Sequence, residues 1–70
     1  MMSHKAEIDA LRVAHEEAVV ALFRAEIALH EARQTRVDHW ISAAADRLHE
    51  HVVAEQRTAA ALRTGISRSG

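Results

Sequence analysis

The stretch His30-Glu31-Ala32-Arg33-Gln34-Thr35-Arg36-Val37-Asp38-His39 decides the fold, because it is where the apolar pattern of the chain breaks. Before it, Ile8, Leu11, Ala18, Val19, Leu22, Phe23, Ala25 and Leu29 recur at helical spacing. After it, Trp40, Ile41, Ala44, Leu48, Val52, Ala59 and Leu62 do the same. Apolar residues three and four apart lie on one side of a helix, so each half reads as amphipathic.

Inside the window, Thr35-Arg36-Val37-Asp38 has the spacing of a capping box, with aspartate in place of glutamate, and Asp38 alone could cap a helix starting at His39. Thr35, Val37, Asp38 and His39 are middling or poor helix formers. These features predict a turn. No glycine or asparagine supplies a left-handed residue there, no proline occurs anywhere, and both glycines, Gly65 and Gly70, lie at the C-terminal end. One unbroken helix of roughly 60 residues, about 90 Å long, is therefore the competing expectation.

A reversal near Arg36 sets residues whose numbers add to about 72 opposite one another. It pairs Ile8 with Ile66 or Thr64, Leu11 with Leu62, Val19 with Val52, Phe23 with Leu48, and Leu29 with Ile41 or Ala44, and it sets Glu26 beside Arg47. Apolar layers meet apolar layers throughout. An eleven-residue recurrence, in Ile8, Val19, His30, Ile41 and Val52 and in Leu11, Leu22, Arg33 and Ala44, speaks for the continuous helix, since such a repeat keeps its stripe on one side of a straight rod. His30 and Arg33 interrupt that repeat where the hairpin turns.

The expected fold is thus all-α: an antiparallel helical hairpin of two long amphipathic helices, self-associating into a four-helix bundle, with one continuous helix in a coiled coil as the alternative. As a single domain over 1–70, it has a helix at about 4–34, a turn at about 35–38, a helix at about 39–64 and a frayed tail at 65–70. Ser3 suits the N-cap, and Gly65 suits the residue just past the last turn.

Self-association follows from size and from a second stripe. A 70-residue two-helix unit buries little apolar surface, and the absence of cysteine removes disulfides and thiolate metal sites as remedies. Val13, Val20 and Ile27 recur every seven residues, rotated away from the first stripe, and in a lone hairpin they face water. With Phe23 they form the expected interface. Trp40 either closes the hairpin end against Ala32 and Val37 or anchors a partner, a role in which tryptophan is enriched. A homodimer is the first partner expected, and an unidentified protein the second.

Composition narrows the function classes. The formal net charge is −1, and no run of residues is long and apolar enough for a bilayer, so neither nucleic acid nor membrane is expected as a partner and the location expected is cytoplasmic. Arginine outnumbers lysine eight to one and alanine supplies about a fifth of the chain, a bias of GC-rich genomes that suits an actinobacterium or its bacteriophage. Arg36, Arg47, Arg57 and Arg68 share a sector of the second helix with Asp46 and Glu50, and no aromatic is interleaved for base stacking. No nucleophile turn or phosphate-cradling glycine loop is present, and adjacent carboxylates such as Glu16 and Glu17 point about 100° apart, so the chain is not expected to be an enzyme and no cofactor is expected.

Six histidines raise the one chemical alternative, a metal-binding helical bundle with His and carboxylate ligands. Glu26 and His30 are four apart and Asp46 and His49 three apart, spacings that put two ligands on one helix face. Asp46-Arg47-Leu48-His49 resembles the Glu-x-x-His element of ferritin-like proteins, including the two-helix encapsulated ferritins, and that resemblance implies a metal-binding bundle built from hairpins. Trp40-Ile41-Ser42 is similar to the Trp-x-Gly bend of a family of secreted helical hairpins, but serine stands where that bend has glycine. The function expected is that of a small accessory or protein-protein interaction module.

Overall fold

A computed structural model describes residues 4–69, with side chains for 5–68. Two helices of equal length, α1 (His4–Thr35) and α2 (Asp38–Ser69), run antiparallel as a hairpin. The rod measures 54 × 14 × 14 Å. Its length is close to the roughly 48 Å that 32 helical residues span at about 1.5 Å each, so the helices pack side by side along their whole length.

The break is made without glycine. Arg36 takes the left-handed conformation, with φ 59°, and its amide donates to the Arg33 carbonyl at 3.2 Å, which closes α1. Thr35 works on both sides of the break: its hydroxyl donates to the Ala32 carbonyl at 2.6 Å and accepts from the Val37 amide at 3.2 Å. Val37 is the N-cap of α2, its carbonyl accepting from Trp40 and Ile41, each at 3.0 Å. Asp38 lies inside the first turn, where its charge favours the helix dipole. The turn is therefore tighter than the expected 35–38, and the roles differ from a capping box because Thr35 terminates the first helix instead of starting the second. The break at Arg36 and Val37 and the packing of the two helices on each other rule out the continuous helix, and two members of its eleven-residue repeat, Val19 and His30, are exposed.

The seam has a seven-residue period. On α1 it runs through Ile8, Leu11, His15, Ala18, Leu22, Ala25, Leu29 and Ala32, all half-buried or buried; on α2 through Ile41, Ala44, Leu48, His51, Glu55, Thr58, Leu62 and Gly65, with Val52 half-buried at its edge. Alternating steps of three and four residues on both helices give the knobs-into-holes arrangement of a coiled coil. The bonded pair His15 and Thr58 sets the register so that residue numbers opposite one another add to 73. Leu11 meets Leu62 and Leu29 meets Ala44, as two of the expected layers require.

Three expectations are corrected. Val19 and Phe23 do not enter the core; they stay 43% and 63% exposed, because in this register Leu22 and Ala25 occupy the inward positions opposite His51 and Leu48. Glu26 is exposed outside the seam, so it is not a charge within the stripe that Arg47, itself exposed, has to neutralise. The tail from residue 65 is helical to Ser69, since Gly65 has no positive φ and serves as a seam position instead of a cap. A Cβ built at Gly65 would meet Leu11 Cδ1 at 2.7 Å, so its missing side chain lets the open end close. Ser3 and Gly70 lie outside the described residues.

Candidate interaction surface

Heptad geometry turns the seam into a map of the outside. Val13, Val20 and Ile27 stand at the position directly opposite the seam, about 180° from α2. Phe23 lies on the adjoining position, three residues from Val20 and four from Ile27, so the four side chains form one row along α1. They are exposed by 52%, 49%, 63% and 45% in chain order. The row follows from an overlay of two heptad patterns on one helix: one set of apolar residues is consumed by α2, and the other has no partner within the chain. On α2 the corresponding position holds Asp46, Val53, Ala60 and Ser67, of which Val53 is half-buried and the others exposed, and its flanks carry the exposed polar residues His49, Glu50, Gln56, Arg57 and Arg63. The two helices thus differ in what their outer faces suit.

A shallow groove of about 520 Å³ lies along the row, lined by Val13, Glu16, Glu17, Val20, Ala21 and Arg24. It continues past Ala21 and Arg24 into a second depression of about 290 Å³ between the helices, where Ala25, Ala28 and Ala44 form the floor and Arg47 and His51 the far wall. Alanines make these hollows. Their short side chains leave space beside the seam that larger residues would fill.

Trp40 is 55% exposed and Val37 39% exposed at the closed end. The indole therefore leaves more than half its surface outside the hairpin. It stands on α2 level with Arg33, about 9 Å along the rod from Ile27, and forms a separate apolar spot.

The metal candidates are not gathered. Glu26 and His30 are exposed on α1, and Asp46 and His49 are exposed on α2. His30 Nε2 is 3.3 Å from Gln34 Nε2. Among the described residues no three histidine, aspartate or glutamate side chains stand close enough to share an ion.

Polar residues occupy the middle of the seam. The Thr58 hydroxyl donates to the Glu55 carbonyl at 2.9 Å. Its one proton is then used, so His15 Nδ1, 3.0 Å away, carries a proton and donates to Thr58 Oγ1. His51 and Glu55 are half-buried nearby on the same helix face. The signal that finds them is the strict three-four spacing, which includes His51, Glu55, Thr58 and Gly65 once polar and small residues are admitted to the stripe.

Neither a protein-family model, nor a curated protein, nor a solved structure matches the chain. Among the described residues no helix is long and apolar enough to cross a membrane.

Proposed function

We propose that this protein is a non-catalytic interaction module that works as a homodimer of hairpins, joined through the outer face of α1. The observation that carries the reading is the row Val13, Val20, Phe23 and Ile27, which is apolar and exposed and points directly away from the only helix it could otherwise pack against.

Surface area supports the same conclusion. The chain exposes 5606 Å², against roughly 4400 Å² for a compact monomer of its mass. The excess, on the order of 1200 Å², exceeds the roughly 800 Å² that one partner contributes to a standard interface. Among the described residues only Ala25 and Leu29 are buried. Burying a valine, isoleucine or phenylalanine contributes about 1.5 to 3 kcal/mol, so covering the row adds stability that the thin seam lacks.

The row lies opposite the seam, and a dimer built on it is therefore an elongated four-helix layer. The two α1 helices sit at its centre, and the polar outer faces of α2 meet water on both sides. Such a dimer offers the closed ends, each with Trp40 and Val37, as a pair of apolar spots for a further protein. An accessory role in an actinobacterium or its phage suits the composition.

Sedimentation equilibrium at micromolar concentration tests the reading. The wild type is expected at twice its chain mass, and a Val20→Glu, Ile27→Glu variant at the single-chain mass with its helix content retained. A wild-type monomer that unfolds cooperatively would overturn the proposal.

A further inference from the structure

We infer that the second copy binds α1 against α1 in antiparallel fashion, with a two-fold axis between Ala21 and Leu22, so that Glu17 of each subunit pairs with Arg24 of the other. This rests on the dimer proposed above and adds its direction, register and specificity.

The inference starts from Phe23, at 63% the most exposed large apolar side chain. A seam that covers it uses the steps Val13, Glu16, Val20, Phe23, Ile27 and His30, again alternating three and four. An isologous contact requires each residue to meet its counterpart reciprocally, which leaves only registers that differ by one heptad. In the register centred between Ala21 and Leu22, Val20 lies on the partner subunit's Phe23, and Phe23 on the partner subunit's Val20. The four side chains nearest the two-fold axis, Val20 and Phe23 of each subunit, are then all apolar.

Charge selects this register over its neighbours. On the rim beside Val20 and Phe23, Glu17 comes next to the partner subunit's Arg24, and symmetry repeats the pair. Both side chains are exposed and both line the groove along the row. A shift of one heptad in one direction sets Arg24 on Arg24 and Glu17 on Glu31. In the other direction Glu17 meets Glu17, and Glu16, which in the chosen register lies beside the partner subunit's Ile27 about 8 Å from the axis, moves to within about 3 Å of it beside Val20. A parallel arrangement stacks Glu16 on its own copy and places Glu26 beside Glu31. Like charges directly opposed disfavour those pairings, and complementary ones fix register. On the other rim of the chosen register, Arg12 and the partner subunit's Arg33 come nearest about 15 Å from the axis, where crossing helices have begun to diverge.

The test uses two charge reversals in the full chain. E17R carries arginine at both positions and R24E carries glutamate at both, so each repels its own copy, whereas an equimolar mixture restores both pairs in a heterodimer. In low salt, sedimentation equilibrium should show each variant alone dimerising about tenfold more weakly than wild type, and the mixture returning to wild-type affinity. Circular dichroism should show unchanged helix content, since both residues are exposed on α1. If E17R and R24E each dimerise as tightly as wild type while Val20→Glu, Ile27→Glu does not, the face is right and the register is overturned. A mixture no tighter than its components overturns it as well. A wild-type chain that stays monomeric removes the dimer itself, and the register with it.

Discussion

Three residues hold conformations or partners that a more stable sequence would not choose. Arg36 adopts a left-handed backbone with φ 59°, a conformation that costs an L-residue with a Cβ about 1 to 2 kcal/mol relative to glycine. Arg36→Gly should raise the free energy of unfolding by about 1 kcal/mol, read from urea denaturation with an unchanged slope. Val37 is an N-cap without a side-chain oxygen, and Val37→Asp should add a further amount of about 1 kcal/mol by giving the first amides of α2 an acceptor. His15 sits half-buried among apolar layers with a single side-chain partner, Thr58, whose own proton is committed to the Glu55 carbonyl. Replacing it by leucine leaves no new unpaired donor and extends the seam between Leu11 and Leu22. His15→Leu should therefore stabilise the hairpin by about 1 kcal/mol, measured in the same denaturation experiment.

At the scale of the helix, α1 and α2 are alike in length and different in what they show outside. The inner heptads of both were legible in part: Ile8, Leu11, Leu22 and Leu29, and Ile41, Leu48 and Leu62, stand out as large apolar residues. The rest of the seam was hidden by polar or small side chains, His15, His51, Glu55, Thr58 and Gly65, which hydropathy places on the surface. Val19 and Phe23 were misassigned for the converse reason, since their hydropathy suits a core and a shift of one residue in register decides whether they reach it. Gly65 shows the consequence for the open end. Gly65→Ala gains about 1 kcal/mol in helix propensity and loses about 0.5 to 1.5 kcal/mol as Leu11 leaves its preferred rotamer, so the net change should be close to zero. Gly65→Leu has no room against Leu11. It should destabilise by about 1 to 3 kcal/mol, with hydrogen exchange accelerating first in residues near the two termini of the hairpin.

At the scale of the whole molecule, a 54 Å rod only 14 Å across cannot enclose a core, and its stability is tied to association. Dimerisation linked to folding makes the midpoint of thermal unfolding depend on concentration, and raising the protein from about 2 to about 200 µM should raise Tm by several degrees. The V20E, I27E variant should lose that dependence. The amino-acid order by itself determined that the chain is helical, that a division, if there is one, falls near Arg36, and that Val13, Val20 and Ile27 form a stripe apart from the first. Those are consequences of local propensity and of helical period, which every residue expresses within a few positions of itself. Only the tertiary structure decided that the break is a left-handed arginine, that layers add to 73, that the period of the seam is seven, and that Phe23 belongs outside. Each depends on how side chains from opposite ends of the chain fit one another, where a displacement of one residue turns the inward face of a helix by about 100°.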